Sequence, residues 1–142
     1  MSPLDKESIQ SKIARIRRNL KELQKLGALS YKAYAANILN TATAERLLQV
    51  SIEAMLDIGS HIVAEKALGE PLEYRSVFTI LLKAGVLPKN LEKSLMDLVG
   101  LRNRIVHLYE EVDPKKIHQF LSRDLSDFDV FIRVITKYLK KN

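Results

Sequence analysis

Apolar residues recur along this chain at intervals of three and four, and nowhere do they alternate as in a half-buried strand. Across about residues 4–26, Ile9, Ile13, Ile16, Leu20 and Leu23 keep helical spacing, and Gly27 stands where a helix would stop. A longer pattern covers 30–68, with Ile38, Ala42, Leu48, Ile52, Met55, Ile58 and Ile62 on its stripe and Gly69 and Pro71 after it. Without an internal proline it predicts a spine for the domain, or a kinked helix, and Gly59 leaves room for a neighbour to approach. The start of this helix, Ser30 to Ala36, is rich in small residues with two tyrosines, a composition suited to close helix contact, including contact between subunits.

Residues 69–75 read as a loop, and Ser76 is placed to cap a short helix in which Val77, Phe78, Ile80, Leu81 and Leu82 crowd together. Gly85 to Asn90, with Pro88 inside, interrupt the chain again. A helix over 89–109 follows, then Asp113 as N-cap with Pro114 at the first helical position. The last helix, 114–140, carries Ile117, Phe120, Leu121, Leu125, Phe128, Phe131, Ile132, Ile135 and Leu139. The pattern predicts one all-α domain over 1–142, an antiparallel bundle of four to five helices.

The chemistry gathers in one place, Leu101-Arg102-Asn103-Arg104-Ile105-Val106-His107-Leu108-Tyr109. Each helical residue advances about 100°, so with Arg102 at zero, Tyr109 falls near −20°, Asn103 near 100° and His107 near 140°, all approximate. Four polar groups then share a sector, with Arg104 and Ile105 turned away. Such a set suits work on a phosphodiester. Histidine exchanges protons near neutral pH, and an arginine fork binds phosphate oxygens and stabilises charge as it builds. RNA brings its own nucleophile, the ribose 2′-hydroxyl, so a base and a charge stabiliser suffice without a metal or cofactor. On spacing alone the same residues also fit an ordinary solvated helix end.

The string Arg102-Asn103-x-x-Val106-His107-x-Tyr109 resembles the signature of the HEPN family and, more narrowly, is similar to the HepT-like toxins. The likeness extends over nearly the whole chain, including residues 56–65 and Val112-Asp113-Pro114. It implies a dimeric HEPN-like helical fold and a metal-independent endoribonuclease, the toxin of a type VII-like toxin–antitoxin pair. Arg102 and His107 would then be catalytic and Asn103 supporting. Tyr109 would be a position adenylylated by a partner nucleotidyltransferase antitoxin. Two other readings stay open: a non-catalytic helical binding or dimerisation partner of a nucleotidyltransferase, and a plain dimeric scaffold.

Composition narrows the classes further. The chain has 142 residues, 46% hydrophobic and 28% charged, which fits a folded domain rather than a disordered one. It has no cysteine, which excludes disulfides, thiolate metal sites and cysteine nucleophiles. No His-Glu-x-x-His helix, glycine-rich phosphate loop or tight carboxylate cluster points to a metal or nucleotide. No uninterrupted apolar run reaches the ~18–20 residues of a membrane span, and no signal pattern opens the chain, so the expectation is cytoplasmic. The formal charge of +6 favours a polyanionic partner. Arg17, Arg18, Lys21 and Lys25 cluster on the first helix, as a solvated face or an RNA-backbone track. His61 reads as a packed or surface histidine, and His118 as a surface one with a route to the active cleft.

Overall fold

A computed structural model of the chain describes residues 5–107 and 112–142. These form helices α1 (Lys6–Gly27), α2 (Tyr31–Ala35), α3 (Ile38–Glu65), α4 (Tyr74–Lys83), α5 (Glu92–Val106), α6 (Pro114–Arg123) and α7 (Ser126–Lys141). A 3₁₀ turn, Lys89–Leu91, precedes α5, and no strand occurs among the described residues.

The domain is all-α as expected, but its helices are more numerous and shorter than the periodicity predicts. The 30–68 helix is broken at Asn37, whose backbone is extended and whose side chain accepts the Leu39 N–H at 2.9 Å, starting α3 afresh. Ser30 caps the separate α2 in the same way. The 114–140 helix is broken at Asp124 and Leu125, where no glycine or proline marks the place. The apolar spacing runs unbroken through the corner, because Leu125 is itself buried there. Helix α4 begins at Tyr74, ahead of the expected Ser76 cap, and its N-cap residue Glu73 makes no side-chain capping bond. Asp113 does cap α6, accepting the Lys115 N–H at 2.9 Å, with Pro114 at the first helical position.

Helix α3 is the spine. Its buried residues, from Ala44 through Leu48, Met55 and Leu56 to Val63, point in several directions because α1, α4 and α5 all pack on it. By length and composition α3 is apolar enough to cross a membrane, with a mean hydropathy of 1.3 over 18 residues. Of that window 56% is buried inside the bundle, which accounts for its apolar character as core. Helices α1 and α3 run antiparallel: the Asp5 N–H donates to His61 Nε2 at 3.1 Å, and the Asn19 amide donates to Ser51 Oγ at 3.1 Å. His61 thus fastens the start of α1. Gly59 does admit a neighbour, since a Cβ there would lie 2.7 Å from Val77 Cγ1 and 3.0 Å from Leu81 Cδ1 of α4.

Histidine 118 fastens α2 and the α1–α2 turn to α6. Its Nε2 donates to the Leu29 carbonyl at 2.7 Å, and its ring lies 5.1 Å from Tyr34 and 5.7 Å from Tyr31. Tyr34 is fully buried, and burial, followed by the charges of Glu45 and Tyr31, pushes its hydroxyl up to about 12. On the far side of this joint, α6 presses its backbone onto Gly27, where a Cβ would sit 2.6 Å from the Leu121 carbonyl oxygen. A backbone carbonyl cannot swing aside as a side-chain tip can. Gly27→Ala should therefore cost about 1–3 kcal/mol in urea unfolding with an unchanged m-value; an unchanged midpoint would contradict this packing.

Candidate active site

Leu95, Leu98, Val99 and Leu101 fix the rotation of α5 by burying against the bundle. Arg102 then emerges half-buried, with 16% of its side chain exposed, opposite Glu53 of α3, with 29%. Its Nε and Nη2 both donate to Glu53 Oε2, at 3.0 and 2.8 Å. The same oxygen accepts from Gln49 Nε2 at 3.4 Å, one turn earlier on α3. Arg102 Nη1 donates to Asn103 Oδ1 at 3.3 Å. The guanidinium plane is therefore set from two sides, by a carboxylate on another helix and by the adjoining amide.

His107 is the first residue beyond α5. Its N–H closes the last turn on the Asn103 carbonyl at 3.1 Å, but its own backbone turns extended (φ −77°, ψ 114°). The helix thus ends sooner than the expected 109, and the angular sector does not carry over to His107. The residue is exposed, and its ring makes no hydrogen bond among the described residues. Tyr109 lies outside the described residues. Arg104 is exposed and turned away from Arg102, lining a cleft of about 380 Å³ against α6 with Asp97, Lys116 and Arg123; Ile105 packs against the core.

The structure thus joins Arg102 to Asn103 directly, and Asn103 to His107 through the backbone. His61 and His118 are engaged elsewhere, in the two fastenings described above. Arg17, Arg18, Lys21 and Lys25 are exposed on α1, and Lys25 pairs with Glu22 at 3.2 Å. None of the four lines the cleft that Glu53 shares; Lys12 and Arg15 of α1 do, with Arg46 of α3. Among the described residues no three histidines or carboxylates gather as a metal site would require.

Residues 16–135 match the family model described as Ribonuclease HepT-like. The chain belongs to the ribonuclease HepT-like family. It is 30% identical over 139 residues to the tRNA nuclease HepT of Aphanizomenon flos-aquae, spanning 98% of this chain and 95% of that protein. Over 133 residues it is 34% identical to the mRNA nuclease HepT of Shewanella oneidensis, spanning 89% and 95%. Its fold superposes, with a TM-score of 0.84 and 31% identity, on the tri-AMPylated Shewanella oneidensis HEPN toxin solved in complex with its MNT antitoxin. That alignment covers 96% of this chain and 99% of the toxin.

The HepT-like stretch contains Glu53 as well as the Arg102–Tyr109 string. Sequence reading missed Glu53 because its partner lies 49 residues away and nothing in its own neighbourhood sets it apart. The only trace is a carboxylate standing between two buried residues, Ile52 and Ala54, on the spine. A double-mutant cycle of Glu53→Ala and Arg102→Ala in urea unfolding should show a coupling of about 1–2 kcal/mol. Additivity to within about 0.3 kcal/mol would mean that the pair does not hold the guanidinium.

Proposed function

We propose that this chain is the ribonuclease toxin of a toxin–antitoxin pair and that Arg102 and His107 cut RNA without a metal. The observation that carries the reading is the contrast at the end of α5 in a HepT-like chain. Arg102 is held in a fixed plane, while His107, just past the helix end, stands exposed with a ring that makes no hydrogen bond among the described residues. A fixed cation suits charge that builds on the phosphoryl oxygens, and an accessible imidazole suits proton exchange with solvent and substrate.

In this mechanism the 2′-hydroxyl loses its proton as its oxygen attacks the adjacent phosphorus. The bond to the 5′-oxygen breaks, and that oxygen takes a proton as it leaves. The products are a 2′,3′-cyclic phosphate and a 5′-hydroxyl. Arg102 donates to the equatorial oxygens as their charge grows, and Asn103 orients the guanidinium. One histidine cannot sit at both ends of an in-line displacement at once. The chain therefore acts as a homodimer in which two copies of the site face one another and His107 of each supplies one proton transfer. The substrate is single-stranded or tRNA-like RNA in the cytoplasm.

The restraint comes from a nucleotidyltransferase antitoxin. The Tyr109 hydroxyl oxygen attacks the α-phosphorus of ATP, losing its proton and expelling pyrophosphate. The AMP so attached adds negative charge and bulk a few residues past Arg102, which repel the phosphate the site would bind. The Shewanella oneidensis HEPN toxin, solved AMPylated and in complex with an MNT antitoxin, supports this part of the reading.

His107 is exposed, so His107→Ala should keep the wild-type helicity and melting temperature while lowering the rate of RNA cleavage at least about 100-fold. Arg102→Lys, which keeps charge and loses the fork, should fall by a similar factor. A His107→Ala protein that cuts at the wild-type rate would remove this site from the mechanism. A wild type that never cuts RNA, yet binds the nucleotidyltransferase, would leave only the binding role.

A further inference from the structure

Helices α1 and α3 leave a cleft of about 340 Å³ lined by Lys12, Arg15, Arg46, Glu53 and Asp57, among others. Their antiparallel packing, marked by the Asn19–Ser51 bond, sets Arg15, one turn before Asn19, at the level of Glu53. Arg46 comes from the other wall. The three cations thus arrive from two helices, which makes this a constructed concavity rather than the charged face of one helix.

The local charge does not cancel. Arg15 and Arg46 are exposed and form no ion pair among the described residues, although two carboxylates line the same cleft. Among the described residues Lys12 reaches only Ser8 Oγ, at 3.4 Å. Glu53 gives its Oε2 to Arg102, so Asp57 alone stands against three cations. Like charges held unpaired around one hollow repel each other, and an anion settling there relieves that repulsion.

Glu53 is also the shared wall. It holds the Arg102 guanidinium through Oε2 and lines the cleft together with Lys12, Arg15 and Arg46. We infer that the cleft between α1 and α3 is a binding subsite for the phosphodiester backbone of single-stranded RNA, flanking the phosphate that Arg102 receives. This inference rests on the assignment of Arg102 to the cleavage site. Lys12, Arg15 and Arg46 hold backbone phosphates without reading bases, so the subsite contributes affinity and register rather than sequence preference. Arg17, Arg18, Lys21 and Lys25 lie outside this cleft, whose α1 cations are Lys12 and Arg15.

The test is Arg15→Glu/Arg46→Glu in the full chain, beside a control with the same charge change on exposed α7 positions, Arg133→Glu/Lys137→Glu. Cleavage of a single-stranded RNA should show KM raised about tenfold with kcat nearly unchanged, and the control should move KM far less. Binding of a fluorescent single-stranded oligonucleotide is measured in parallel on a His107→Ala background, where no cleavage intervenes. The dependence of log affinity on log salt should lose about 1.4 from its slope in the cleft variant, about 0.7 for each single-strand phosphate contact removed. Equal KM and an equal salt slope in wild type and cleft variant would overturn the subsite while leaving the nuclease reading intact. A wild type that binds through the cleft but never cuts would leave the subsite and overturn the nuclease. RNA binding unchanged but antitoxin binding lost would mean that the cleft docks a protein, which also overturns the inference.

Discussion

The contact on which the site depends is a carboxylate of α3 accepting two N–H groups from an arginine of α5. A guanidinium on a long, flexible stem loses rotamer entropy each time it is brought to a phosphate. In the proposed mechanism, fastening it in advance to Glu53 removes much of that cost before substrate arrives. The fastening in turn requires α3 and α5 to lie side by side in a fixed register. That register is imposed by the apolar residues of α3, buried against three different helices, and by Leu95, Leu98 and Leu101 of α5. In the proposed mechanism the core therefore acts on the chemistry through this ion pair, whose half-burial strengthens its Coulomb attraction relative to an exposed pair.

The same arrangement separates what must be rigid from what must be reachable. Helix α5 stops at Val106, so Arg102 stays within the regular helix while His107 falls on extended backbone outside it. An exposed imidazole retains access to water and to a mobile substrate, which proton transfer requires. The two other histidines are spent on joints, His61 at the start of α1 and His118 between α2 and α6, and this leaves His107 as the unengaged one among the described residues.

How far the sequence carried depended on the distance between partners. Helical periodicity and the Arg102–Tyr109 string are local, and they led to the all-α class and the family. The breaks at Asn37 and Asp124 were hidden because the apolar spacing continues through them: Leu125 is buried at one corner as it would be within a helix. The end of α5 at Val106 was hidden for the same reason, since Leu108 continues the apolar pattern of the sequence beyond it. Glu53 was invisible because a pairing across 49 residues is a property of the folded bundle. The basic residues of α1 were visible as a group, but which of them face α3 depended on the direction in which Asn19 points, towards Ser51.

The central claim is that Arg102 and His107 drive attack by the ribose 2′-hydroxyl with no metal taking part. The most direct measurement is the chemistry of the cut ends after the wild-type chain has acted on RNA in excess chelator. Mass spectrometry should find 2′,3′-cyclic phosphate on one fragment and 5′-hydroxyl on the other, in amounts that chelation does not lower. Fragments ending in 3′-hydroxyl and 5′-phosphate, formed only when a divalent cation is restored, would show that water was the nucleophile and contradict the account.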